Sequence, residues 1–272
     1  MDSGGIDVDL QLAGKRAIVT GASRGIGFAV AAALTAEGAD VALVARDRDA
    51  LDAAAQRLSG AGRRALAIAA DTTDDASVRA GVARAVTDLG GIDILVNAAA
   101  QPGGSGPPRG LSDLGDDDVR IEIETKLLGY LRCARAVAPH MIAQGWGRII
   151  NISGLAARQT GSTVGSIRNV AVAAMTKNLA DELGPAGINV TVVHPGMTVT
   201  ERTPALIAGL AATRGISPAD AEAGLAAGVS IGRLVSAAEV ADVVTFLASP
   251  RSVAITGDAI AVGGGARGAI HY

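Results

Sequence analysis

A chain of 272 residues with 49% apolar but only 2% aromatic side chains can bury one good core of small residues, and it offers few stacking platforms for bases. A formal net charge of -3 speaks against a nucleic-acid surface, and a single cysteine, Cys133, excludes an internal disulfide and an all-cysteine metal site. Acidic residues at Asp2, Asp7 and Asp9 and the lack of an uninterrupted apolar run give no sign of a leader or a membrane span, so a cytoplasmic protein with no membrane partner is expected.

Residues 1–13 are polar and glycine-rich and are expected to be a flexible segment ahead of one domain over 14–272. Residues 16–20 read as a buried strand, followed by a glycine turn over 21–27 and an Ala-rich helix to about residue 37. Strands at 40–45, 65–69 and 92–96 alternate with helices at 48–58 and 75–89. The stretch 101–110, with three prolines and four glycines, is expected to be a loop. A long helix is expected over 116–142, then a strand at 148–152, a helix at 166–183 and a strand at 188–193. Cys133 then reads as a small buried hydrophobe on a helix. Short Ala-rich helical pieces over 197–230 look like a substrate lid, with Leu206, Ile207 and Leu210 as its apolar candidates. Ser236 and Glu239 have capping-box spacing for a helix over 237–248, and 259–262 is a last strand. Strands alternating with helices in this way predict an α/β fold of Rossmann type: a doubly wound, mainly parallel sheet with helices on both faces.

Between the first strand and helix stands Gly21-Ala22-Ser23-Arg24-Gly25-Ile26-Gly27. Glycine lets backbone approach a pyrophosphate, and the helix N-terminus supplies unpaired N–H groups and positive dipole. Where an acid would bind the ribose hydroxyls of NAD, the chain has Ala45 and then Arg46. Arg46 and Arg24 together favour a 2′-phosphate, so NADP is expected, with NAD possible. Asp71, beside Thr72, is placed either to accept from the adenine amino group or to cap the next helix.

From about residue 13 to 265 the chain resembles the short-chain dehydrogenase/reductase superfamily. Residues Thr20 to Gly27 match its cofactor motif, Asp71 with Thr72 matches the adenine end, and Asn97-Ala98-Ala99-Ala100 matches its Asn-Asn-Ala-Gly motif in part. Pro195, Gly196 and Thr200 resemble the segment on the nicotinamide side. Ile255-Thr256-Gly257 with Gly263-Gly264 resembles the family's C-terminal signature. The resemblance implies a seven-stranded sheet, a small-molecule substrate and a homodimer or homotetramer.

It also implies an Asn-Ser-Tyr-Lys tetrad, from which this chain departs at every position. The tyrosine position is Gly165, the lysine position Asn169, the serine position Gly154 and the asparagine position Lys126. A phenol of pKa about 10 needs a neighbouring cation to act as a base at neutral pH. Asn and Lys have in effect exchanged helices, so Lys126 is expected to bring an ammonium into the pocket with Asn169 as its partner. The alternative for Lys126 is a structural group on a backbone carbonyl or an acid. Ser153, next to the serine position, is the third candidate catalytic residue. Ser162, Ser166 and His194 are further proton-donor candidates, Tyr130 is expected to pack between helices, and His140 and His271 are too distant. Three histidines without a converging acid pair suggest no metal site.

Three functions fit: an NADP(H)-linked oxidoreductase of non-standard active site acting on a carbonyl or alcohol, a cofactor-binding protein without redox turnover, or a non-redox lyase or isomerase using the same pocket.

Overall fold

Seven short apolar runs form strands because helices cover them on both faces, so most side chains along them are buried. The computed structural model describes residues 8–59, 63–100 and 110–267. The first half contains β1 Arg16–Thr20, α1 Gly25–Ala36, β2 Asp40–Ala45, α2 Arg48–Leu58, β3 Ala65–Ala69, α3 Asp75–Leu89 and β4 Ile94–Asn97. The expected loop at 101–110 lies outside the described residues except for Gly110, as do His271 and Tyr272. The chain resumes with α4 Asp116–Glu122, a π-helical segment Ile123–Leu128, α5 Gly129–Gln144, β5 Gly147–Ile152, α6 Thr163–Leu183 and β6 Ile188–Pro195. It continues through β7 Thr198–Val199, α7 Thr203–Arg214, α8 Pro218–Ala227, β8 Val235–Ser236, α9 Ala237–Ala248 and β9 Ala259–Val262.

The main sheet has the order β3-β2-β1-β4-β5-β6-β9, with every neighbouring pair parallel. Val30 and Leu34 of α1, Leu51 of α2, and Val240 and Val244 of α9 pack on one face. Val78 and Val82 of α3, Val137 and Met141 of α5, and Leu183 of α6 cover the other. This is the expected doubly wound sheet. The chain leaves the β3 edge and returns to lay β4 beside β1, which opens a crevice at the C-terminal ends of those two strands.

One local feature differs from the sequence expectations, and two add detail to them. Of the N-terminal segment, Leu12 is buried in the core, and the Asp9 carbonyl accepts from Arg251 Nε at 3.2 Å. The single helix expected over 116–142 is interrupted by the π-helical segment, whose extra residue re-aims the side chains it carries. The 197–230 segment has its own small core, Ile207, Ala211 and Ala221, and β7 joins it to β8 as a two-residue parallel ribbon. Ser236 and Glu239 form the expected capping box of α9. Among the described residues no helix is long and apolar enough to cross a membrane.

The glycine turn is locked to the end of β4. Thr20 Oγ1 accepts from the N–H groups of Ala98 and Ala99, each at 3.1 Å. Gly21 has φ +66°, and a Cβ there would stand 2.8 Å from the Ala98 carbonyl oxygen. A Cβ on Gly27 would run into the carbonyl of Gly21, a rigid backbone neighbour. Gly27→Ala is therefore expected to cost about 1–3 kcal/mol through overpacking and to lower the thermal midpoint by about 3–10 °C. An unchanged midpoint in thermal unfolding would contradict this packing.

Candidate active site

Helix α1 begins without a side-chain cap, because its N-cap is Arg24 in extended backbone. Its first N–H groups are thus left for an anion. One anion is already there: Gly25 N donates to Glu201 Oε2 at 3.3 Å. A Cβ on Gly25 would fill the gap to Thr200 Cγ2 at 3.8 Å and to Glu201 Oε1 at 3.9 Å. The glycine turn and the segment after β6 therefore form two walls of one narrow cradle.

At the other end of the crevice, Arg46 is exposed after β2, and Asp71 follows β3. Burial alone would raise the Asp71 pKa. Hydrogen bonds from Thr73, with the positive charges of Arg46 and Arg132, outweigh burial and hold the carboxyl below its usual range. Asp71 Oδ1 accepts from Thr73 N at 2.9 Å and from Thr73 Oγ1 at 2.8 Å. The cap of α3 is Asp74, whose Oδ1 accepts from Ala76 N at 2.9 Å, so the helix-cap alternative for Asp71 is not taken.

Two expected cofactor residues are interior groups. Asn97 is fully buried and donates to Asn151 Oδ1 at 2.9 Å, tying β4 to β5 under the crevice. Thr72 is buried against Gly129 of α5. Gly196 is held near the end of β9, its N–H donating to the Val262 carbonyl at 3.2 Å.

Lys126 is the candidate site's buried cation. The π-helical segment carries it, and its side chain is buried. Its Nζ donates to the Ser153 carbonyl at 2.9 Å and to Asn169 Oδ1 at 3.3 Å. The expected Lys126–Asn169 partnership is formed, together with the backbone carbonyl contact of the alternative reading. Burial lowers the Lys126 pKa from 10.5 to about 7; the charge of Arg168 lowers it as well, and that of Glu122 opposes.

Arg168 and Glu122 were not legible as site residues. Arg168 Nε also donates to Asn169 Oδ1, at 3.3 Å. Its Nη1 donates to Glu122 Oε2, an ion pair that clamps α6 to α4 on the N-terminal side of the π-helical segment. Forty-six positions separate the two partners, and no local pattern announces such a pair. Glu201 was missed for the same reason.

The hydroxyl candidates are engaged elsewhere. Ser153 Oγ donates to the Asn169 carbonyl at 3.1 Å, so Ser153 meets Lys126 through its backbone carbonyl and not its hydroxyl. Tyr130 OH donates to the Ile152 carbonyl at 2.9 Å, and burial pushes its phenol above its usual range, which fits the expected packing role. Ser162 caps α6 by accepting from Gly165 N at 3.1 Å, and Ser166 Oγ donates to the Gln159 carbonyl at 3.0 Å. His194 is buried, and its Nδ1 accepts from Gly154 N at 3.4 Å. Cys133 is buried as expected, and burial pushes its thiol up to about 12.

The Lys126 shift makes stability depend on pH. Between about pH 7 and 10.5 the unfolded chain binds the proton that the folded chain has released, so stability from this group rises with pH across that window. The size of the rise is on the order of a few kcal/mol. Denaturant unfolding over that range should show the rise in the native chain, and Lys126→Met should flatten it. Equal slopes in the two proteins would contradict the buried, shifted amine.

Comparison with known proteins agrees with the fold. The family described as short chain dehydrogenase matches residues 15–210. The short-chain reductase protein NovJ of Streptomyces niveus is 39% identical over 250 residues, covering 92% of each chain. The crystal structure of L-sorbose reductase from Gluconobacter frateurii, complexed with NADPH and L-sorbose, superposes with a TM-score of 0.89 at 30% identity, covering 97% of this chain and 100% of that one. A crystal structure of a variant actinorhodin polyketide ketoreductase with NADPH gives a TM-score of 0.85 at 32% identity, over 92% and 96% of the two chains.

Proposed function

Because this chain belongs to the short-chain dehydrogenase family, we propose that it is an NADP(H)-linked oxidoreductase acting on a carbonyl or alcohol with a non-standard active site. The observation that carries this reading is the Lys126 ammonium, brought to the C-terminal end of β5 by the π-helical segment. The N–H groups at the start of α1, in the turn containing Gly21, Ser23, Gly25, Ile26 and Gly27, would hold the pyrophosphate where Glu201 now stands. Arg46 and Arg24 would hold a 2′-phosphate, Asp71 the adenine amino group, and Pro195, Gly196 and Thr200 the nicotinamide side. Thr72 and Asn97 would support that site from beneath. NADPH, when bound, supplies the hydride.

The chain's own part is orientation and the proton. An ammonium has three N–H donors, and the Ser153 carbonyl and Asn169 Oδ1 engage two of those on Lys126. The third has no acceptor among the described residues and would be given to a substrate oxygen that reaches the buried amine. With a pKa of about 7, Lys126 gives a proton to a reduced carbonyl below that pH and takes one from an alcohol above it. The tetrad of the family is replaced: Gly165 and Gly154 contribute no hydroxyl, and Asn169 and Lys126 have changed places. The 197–230 segment would close over the substrate and exclude water.

NADPH should bind and be consumed when carbonyl compounds are supplied. Reduction is expected to slow as pH rises through about 7. Lys126→Met should lower turnover by about 10²-fold or more with NADPH affinity retained. Arg46→Ala should weaken NADPH about tenfold and leave NADH nearly unchanged. Binding without turnover across a broad carbonyl and alcohol screen, with Lys126→Met behaving like the native chain, would instead favour a cofactor-binding protein without redox activity. The engaged hydroxyls of Tyr130 and Ser153 are the observation on the side of that second reading.

A further inference from the structure

Two cationic donors, Lys126 Nζ and Arg168 Nε, converge on one atom of the Asn169 side chain, each at 3.3 Å. That atom must be the amide oxygen, since the amide nitrogen is itself a donor. The orientation of the amide is therefore settled by charge, and the Arg168–Glu122 pair holds the guanidinium in place behind it. The Nδ2 group is turned the opposite way, towards Gly154. A Cβ built on Gly154 would stand 3.0 Å from Nδ2, closer than ordinary packing allows, so the absence of a side chain at 154 makes room for this amide. Nδ2 donates to no described residue, yet it is not one of the sealed, unpartnered polar atoms of the interior.

The place of this donor gives it chemical meaning. Gly154 follows β5 at the C-terminal edge of the sheet, where ligands of doubly wound sheets bind. An oriented N–H donor beside a lysine ammonium suits an oxygen that gains negative charge. Resting on the reading of the site as an NADP(H)-dependent one, we infer that Asn169 is a catalytic residue whose Nδ2 donates to the substrate oxygen, while its Oδ1 is held by Lys126 and Arg168. Gly154 and Asn169 act as a matched pair: the amide supplies the donor, and the glycine supplies the space.

The test uses the full chain labelled with ¹⁵N-asparagine, saturated with NADP+, and sodium acetate as a small oxyanion probe. The side-chain amide signals of Asn169 are identified by their loss in Asn169→Asp, which keeps an oxygen for both cations and removes the donor. In the native chain those signals should shift saturably as acetate is added. Gly154→Ala should displace the amide and weaken acetate about 10- to 100-fold while NADP+ still binds. Asn169→Asp should weaken acetate at least as much, read from quenching of bound NADPH fluorescence, which covers the case of a misfolded alanine variant. Signals that stay fixed while NADP+ is bound, or acetate affinity unchanged in Asn169→Asp, would overturn the role of Asn169 alone. Failure of the native chain to bind NADP+ or NADPH at all would overturn the reading of the site on which that role rests.

Discussion

The site depends on one buried ammonium. Lys126 is buried, and among the described residues the Ser153 carbonyl and Asn169 Oδ1 replace its hydration. Burying a charge is expensive unless it is paired and hydrogen-bonded, and a lysine so placed responds by losing its proton more easily. The surrounding structure follows from that demand. The π-helical segment delivers the side chain, the Ser153 hydroxyl clasps the backbone of Asn169, and Arg168 and Glu122 hold α6 against α4. Two glycines complete the arrangement. Gly154 leaves room for the amide, and at Gly165 a Cβ would lie 2.9 Å from the Ser162 hydroxyl that caps α6.

Lys126, Gly154 and Asn169 are thus physically linked. A side chain at 154 meets the Asn169 amide, a side chain at 165 meets Ser162, and an asparagine at 126 would withdraw the cation on which Asn169 is oriented. The cofactor half resembles the family more fully, with departures at Ala98 and Ala100. Its glycine turn is held against β4 by Thr20, and the Gly25 N–H donates to Glu201 Oε2.

Most of the framework was legible in the sequence, because strands buried on both faces read as short apolar runs and their helices carry recognisable ends. The strands at 16–20, 40–45 and 65–69 and the Ser236–Glu239 cap are of this kind. The partnership of Lys126 with Asn169 was legible too, through the exchange of two residue types between helices. The π-helical segment was not, since one inserted residue scarcely disturbs the 3.6-residue hydrophobic pattern of a long helix. Nor were Arg168–Glu122 and Gly25–Glu201, contacts made only when distant segments fold together. The hydroxyl of Ser153 was expected to face the site, but the carbonyl of Asn169 lies nearer to hand.

Burial lowers the pKa of the Lys126 amine to about 7. The chain has only three lysines, Lys15, Lys126 and Lys177, so each can be followed separately after labelling with ¹³Cε-lysine. A pH titration by NMR, with Lys126→Met assigning the signal, should give one inflection near pH 7 that disappears in the variant. A Lys126 signal that titrates with the other two, near the ordinary lysine value of about 10.4, would contradict the account.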